Sequence, residues 1–302
     1  MANTTGTFPA ATETATSLDS WIPEIWGEKV NEFYRNKLVC APFFTDRSDE
    51  VSGGGDTLYT PNTTEFAAAA KTNGAAVTLN SATDTKNTLT ISNWYETSFA
   101  IEDMEAAQAK RSYSIMERFS KNAGYSIAKQ LDSAIIALFA SFTNVVGSSV
   151  NTLGDSDIRA AFAYLETDGA DVMESAFIVS PNQFWKQLQG IDKFSLAVNS
   201  PVNDPTSKMP QAYLYGQPVK VTAQVATVSG GVGAVLATPD AIHFATSPLG
   251  AGGSKGSMVG SSGVRVQSNY VPQYLSTVTT ADILYGVAMN RATGGVLILT
   301  SA

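Results

Sequence analysis

A chain of 302 residues that is 44% apolar and only 15% charged is long enough to bury a substantial core, which excludes a disordered protein. A formal charge of −8 and a pI near 4.7 exclude a basic, nucleic-acid-coating surface. With Cys40 as the single cysteine there is no internal disulfide and no thiolate metal cluster, and a small buried apolar role fits it better than a reactive thiol. No positive charge precedes Lys29 and no apolar h-region follows the first methionine, so an ordinary signal peptide is not expected. The longest apolar run, Ala134 to Ala140, is too short to span a bilayer, and a soluble product made in a reducing cytoplasm is expected.

Residues 1–20 are rich in Thr, Ala and Ser and read as an arm. Ile22, Ile25, Trp26, Val30, Phe33 and Tyr34 then recur at helical spacing, with Pro23 tolerated in the first turn. This short amphipathic helix is either a core helix or, given Trp21 and Trp26 so near a terminus, a tether onto a neighbouring subunit. Residues 46–98 change character. Glycine-punctuated polar sequence leads to a strand candidate at Leu58–Pro61, where Pro61 suits an edge, and Val77, Leu79, Leu89 and Ile91 suggest a second, long strand pair turned at Asn73-Gly74. We read 46–98 as a two-stranded excursion from the body. An isolated hairpin is marginal in water, so another copy of the chain is the natural surface for it.

The strand Asn93–Ile101 alternates and leads into the stretch around which the chain is organised. Met116, Phe119, Ala123, Ile127, Leu131, Ile135, Leu138 and Phe142 lay one apolar stripe on a helix predicted from Asp103 to Phe142. About 40 residues at 1.5 Å each would make a rod of roughly 60 Å. No second helix of similar length occurs to pair with it, so it reads as a spine against which sheets pack. Beyond it, Asp155 and Asp157 cap a short helix through Leu165, ended near Gly169. Ala176–Val179 is a buried strand, Pro181 opens a helix at Gln183–Gln189, and Leu214–Val221 is a turn plus strand. Ala234–Ala237 and Ala241–Phe244 are short strands, residues 247–263 a loop, and Ile283–Met289 with Gly295–Leu299 a final strand pair. The fold class is α+β rather than doubly wound.

Catalytic constellations are weak. The glycine-rich loop Gly252-Gly253-Ser254-Lys255-Gly256-Ser257 lacks the adjacent Gly-Lys-[Ser/Thr] of a phosphate loop. His243 is the only histidine. A triad drawn from Asp240, His243 and Ser247 has no nucleophile elbow, and a structural role for His243 is expected. No paired-cysteine or His-Glu-x-x-His pattern occurs, so we expect no enzyme, no metal site and no cofactor.

Four segments together resemble the major capsid proteins of tailed bacteriophages, the HK97-type shell fold. They are Ile22–Val30, the polar excursion 46–98, Asn93–Asp103 running into the spine, and Phe177–Pro181 with Leu214–Val219. None is a short signature; their order over about 280 residues carries the resemblance. It implies an N-terminal arm and short helix at 1–45, an extended β-hairpin loop at 46–98, a peripheral domain with the spine helix at 99–150 and 265–302, and a compact axial domain at 151–264. It implies hexamers and pentamers closing into an icosahedral shell around double-stranded DNA held only non-specifically, a virion location, and no membrane. A portal protein and a separate scaffold or decoration protein are the implied partners; with the arm's helix so near the start of the sequence, either a separate scaffold exists or the chain is the mature form. Trp21, Trp26, Tyr59, Lys71, Lys86 and Trp94 are the candidates for contacts between subunits. Some members of the family form Lys–Asn isopeptide crosslinks, for which Lys71, Lys86 and Asn290 are the matching residue types here. An encapsulin-like nanocompartment shell is the nearest alternative, with its shorter extended loop, and an acidic β-rich adhesin or fibre protein is the alternative of a different class.

Overall fold

The apolar stripe predicted for the middle of the chain is a helix in the computed structural model. The structure describes residues 38–51, 55–63, 66–74, 76–77, 79–80, 84–104, 115–188, 191, 213–225, 227–228, 230–247, 256–258 and 264–301. The chain divides into two units, Met1–Arg35 and Asn36–Ala302, and every described residue lies in the second. The expected arm and short helix, with Trp21 and Trp26, fall outside the described residues.

Chain order runs β1 (Thr45–Asp46), α1 (Ser48–Val51), β2 (Thr57–Thr63), β3 (Asp84–Thr90), β4 (Asn93–Glu102), α2 (Ile115–Ala137), β5 (Asn144–Gly147), α3 (Asp155–Thr167) and β6 (Ala176–Val179). Then follow β7 (Tyr213–Leu214), β8 (Gln217–Val221), β9 (Thr227–Val228), β10 (Gly231–Ala237), β11 (Ile242–Ser247), β12 (Gly256–Met258), β13 (Arg265–Val271), β14 (Ser276–Met289) and β15 (Gly295–Thr300).

Helix α2 is the spine. It spans 23 residues and tightens into a 3₁₀ turn over Leu138–Ser141, close to the expected end at Phe142; residues 105–114 of the predicted helix lie outside the described set. Ala123, Ile127, Leu131 and Ile135 are buried at the predicted spacing, and Phe142 is buried just past the helix. Phe119 is half out of the core and meets Phe99 of β4 edge-on, with ring centroids 5.3 Å apart. Burying each such side chain is worth about 1.5–3 kcal/mol, and the face that receives the stripe is a sheet.

Among the described residues that first sheet has six strands. β14 is its centre: β4 pairs along Ser276–Tyr285 on one edge, while β13 and then β11 take the other, continued by β12 and β1. Helix α2 packs on β14 and β4. The second sheet, of seven strands, runs β5-β15-β10-β6-β8-β7 with β9 added to β10. Its central strands read Ala-Phe-Ile-Val, Ala-Val-Leu-Ala and Val-Leu-Ile-Leu, apolar without alternation, because both faces are covered. Ile178, Val235, Ala237 and Leu297 face the spine's core, whereas Phe177, Val179, Ala234, Leu236, Val296 and Ile298 face a second core under α3. The period of two thus divides one set of strands between two cores.

Several expectations are corrected. Ile283–Met289 and Gly295–Leu299 are not a strand pair. β14 lies in the first sheet and β15 in the second, so residues 290–294 carry the chain from one to the other. Residues 256–258 of the expected loop form β12, paired with β13. Helix α3 is capped by Gly154, whose N–H donates to Asp157 Oδ2 at 3.1 Å, rather than by Asp155. The helix after Pro181 is wound as a π turn over Gln183–Gln187. Sheet membership also crosses the boundaries drawn from sequence: β11 (within 151–264) belongs with the first sheet, and β15 (within 265–302) with the second.

The hairpin is β2 against β3, in register from Thr57↔Thr90 to Thr63↔Asp84. Val77 and Leu79, expected in its second strand, lie in no strand and are 69% and 88% exposed. Strand β4, expected within the excursion as far as residue 98, belongs wholly to the first sheet.

Candidate assembly surface

The root of the hairpin is held by its own body. Leu89 and Ile91 bury themselves with Val51 and Ala245, Leu58 packs alongside, and the Ile91 N–H donates to the Asp56 carbonyl at 2.7 Å. Asn87 reaches inward and donates through Nδ2 to the carbonyl (2.6 Å) and to Oδ1 (3.0 Å) of Asn290. Gly286 of β14 permits this seating, since a Cβ there would stand 2.3 Å from the Thr90 carbonyl oxygen.

Beyond the root the apolar surface turns outward. Tyr59 is 55% exposed and Phe66 60%, and both belong to the same excursion as Val77 and Leu79. On the outer face of the hairpin Lys86 sits with Nζ 4.2 Å from the centroid of the Tyr59 ring, a cation–π contact between diagonal cross-strand neighbours. Lys71 lies in the exposed stretch and donates to the Thr72 carbonyl at 3.0 Å.

Trp94 sits on the face of β4 turned away from α2. It is 66% exposed, yet its indole N–H is engaged by Asp282. The carboxylate of Asp282 also accepts from Arg265 Nε at 2.9 Å and from its terminal nitrogen, and this pairing holds the guanidinium above its ordinary pKa. Asp282 itself is buried beneath these two side chains. At the far end of the same sheet Tyr274 and Leu275 are exposed in the turn between β13 and β14, with Leu275 at φ +45°.

Lys86 does not meet Asn290 within the chain. Asn87 brings the hairpin to Asn290, whereas Lys86, its neighbour in an extended strand, points to the opposite face. The Asn290 amide is further engaged, since its Nδ2 donates to the Asp240 carbonyl at 2.9 Å.

His243 is buried, with Nε2 2.9 Å from Asp240 Oδ1, and Arg291 approaches the other oxygen of Asp240 at 3.5 Å. Ser247 lies four residues further along β11, about 13 Å at strand rise, too far for a triad. Among the described residues no group of three or more His, Cys, Asp or Glu side chains could hold a metal ion. None of their helices is long and apolar enough to cross a membrane.

Four polar side chains with structural consequences carry no motif. Asp282 is the lone acid in β14, and Asp132 is the only charged residue between Lys129 and Asp155; an isolated charge in apolar sequence is the signal that marks both. Gln183 forms a reciprocal cap with Ser180 (Ser180 N–H to Oε1, 2.9 Å; Gln183 N–H to Ser180 Oγ, 3.2 Å) and reaches Thr300 Oγ1 at 2.7 Å. One helical turn on, Gln187 accepts from the Leu153 N–H and donates to the Ser301 carbonyl, both at 3.0 Å. The two glutamines tie the end of the C-terminal strand to the helical turn that follows Pro181.

No protein-family model matches the sequence, and neither does any curated protein. Solved structures are similar over nearly the whole length. A chain of Mycobacterium phage Che8 aligns with a TM-score of 0.72 at 16% identity, covering 92% of this chain and 97% of that one. A chain from the capsid structure of the cyanophage P-SCSP1u aligns at 0.70 and 12%, covering 100% and 97%. One from the mature capsid of bacteriophage PhiM1 aligns at 0.68 and 12%, covering 92% of each. The chain therefore has the α+β fold of proteins in solved phage capsids.

Proposed function

We propose that this chain is the major capsid protein of a tailed bacteriophage, of the HK97 type, assembling as hexamers and pentamers into an icosahedral head around double-stranded DNA. In this reading it is a structural protein of the virion, and a portal protein with a separate scaffold or decoration protein completes the head. The spine helix with the first sheet serves as the peripheral part, and the second sheet with α3 as the axial part. The observation that carries the reading is the excursion between β2 and β3. Its root is seated on the body while Tyr59, Phe66, Val77 and Leu79 stand in solvent, a surface that a neighbouring copy would cover. The acidic balance fits a wall that confines DNA without adhering to its phosphates. Tyr59, Lys71, Lys86 and Trp94 are the described candidates for contacts between copies.

The test is negative-stain electron microscopy of the full chain, expressed alone and with neighbouring phage proteins. Uniform closed polyhedra are expected. Replacing residues 66–80 with a short polar linker should abolish the polyhedra while leaving the protomer's thermal unfolding unchanged. A wild-type chain that stays monomeric under every condition would refute the assignment.

A further inference from the structure

We propose that residues 38–44 form a strap held on the spine helix by a clasp at Asp132, and that this clasp opens locally while the rest of the protomer stays folded. Asp132 projects from the last third of α2 and is wholly buried. Its Oδ1 accepts the N–H groups of Cys40 at 2.8 Å and Ala41 at 3.0 Å, and its Oδ2 those of Val39 at 3.4 Å and the Gln224 side chain at 3.3 Å. One carboxylate thus gathers successive backbone donors from a segment more than ninety residues away in sequence. Every one of these donors is neutral, so the contact is a set of charge-assisted hydrogen bonds made out of water.

Two further observations set the strap apart within the core in which Val39, Cys40 and Phe44 are buried. Among the described residues the second carboxylate oxygen is held by the two longer bonds, and Oε1 of Gln224, its side-chain partner, is buried with no hydrogen bond. Among those residues, the strap also borders an apolar groove of about 740 Å³, which Leu38, Ala41 and Pro42 line from the strap and Gly124, Ala128 and Leu131 from the helix. The strap is fixed downstream, where Phe44 packs 6.1 Å from Phe139 and Thr45 pairs with β11. It therefore has an anchored end, a polar clasp and room beside it. Cys40 lies inside the clasp, wholly buried, and is the chain's only thiol. The inference concerns the protomer and does not depend on what the protomer assembles into.

The test is the rate at which a disulfide-exchange reagent labels Cys40 in the full-length protein. Asp132→Asn places an amide donor against backbone donors and removes the charge, and should speed labelling about ten- to a hundredfold. Ile158→Val, in the other core and remote from the strap, weakens the fold without touching the clasp and should leave the labelling rate as it is. A wild-type labelling rate in the Asp132→Asn variant would overturn the proposal, and so would equal acceleration by the Ile158 substitution, which would make the opening global. Should Asp132→Asn fail to fold, amide exchange in the wild-type chain decides. The Cys40 and Ala41 amides are expected to exchange ahead of those of Ile127 and Ile135, with little dependence on denaturant. Exchange only together with the spine's amides would overturn it.

Discussion

Trp94 donates its indole N–H to Asp282 Oδ2 across 3.1 Å, so a mostly exposed ring on β4 closes over a buried carboxylate on β14. Arg265 completes the arrangement from β13. Three adjacent strands are thereby joined on the face away from the spine.

That arrangement predicts an asymmetry. Arg265→Ala leaves a buried carboxylate without its cation and should cost about 3–5 kcal/mol. Asp282→Ala leaves an arginine whose side chain already reaches the surface, and should cost less, about 2–3 kcal/mol. Urea unfolding of the two variants measures both. A milder loss for Arg265→Ala than for Asp282→Ala would show that the carboxylate is not the dependent partner.

Gly286→Ala should lift the hairpin root. A methyl group there meets the Thr90 carbonyl oxygen at 2.3 Å, and backbone atoms on both sides leave no flexible side chain to yield. We expect a loss of about 1–3 kcal/mol and faster amide exchange at Leu89 and Ile91. Unchanged protection at those two amides would mean that the root is held from elsewhere.

Stability should fall in alkali in two stages. Burial first, and then the nearby Asp132 carboxylate, push the Cys40 thiol up, with Lys220 acting in the opposite sense. Burial likewise pushes the Tyr285 phenol up. Each group is neutral when protonated, so a raised folded-state pKa stabilises the fold fully below the unfolded pKa and is lost as pH rises above it. The thiol contribution should decline from about pH 9 and the phenol contribution from about pH 10. Each has a slope of at most about 1.4 kcal/mol per pH unit. Cys40→Ala should move the first onset to the second. An unchanged onset in that variant would remove the thiol from the account.

Assembled particles should run as a single monomer band on denaturing electrophoresis. The Asn290 side chain is occupied by Asn87 and by the Asp240 carbonyl, and Lys86 is turned to the hairpin's other face over Tyr59. A ladder of covalent multimers, lost in Lys71→Arg or Lys86→Arg variants, would show that a neighbouring copy displaces those bonds.

Local patterns were readable wherever one periodicity governed a long run. The stripe from Ala123 to Ile135 announced the spine, the alternation at Asn93–Ile101 announced β4, and the unbroken apolar runs announced strands covered on both sides. The sequence also supplied Leu214-Tyr215-Gly216-Gln217 as a turn, and Tyr215 and Gly216 do adopt the positive φ of a tight hairpin. The hairpin's second strand was misplaced because Val77 and Leu79 carry strand propensity without a partner, and propensity reports how a residue fits a packed surface rather than a backbone rule.

By itself the sequence determined that one long amphipathic helix dominates, that strands flank it, and that a polar excursion precedes it. Only the tertiary structure decided that β14 and β15 part into different sheets, that Asp132 and Asp282 are buried acids with named partners, and that the hairpin is seated at its root and exposed beyond it. The reason is range. Periodicity is a property of neighbours a few residues apart, whereas the donors of Asp132 and the cation of Asp282 come from segments that only the folded chain brings to them.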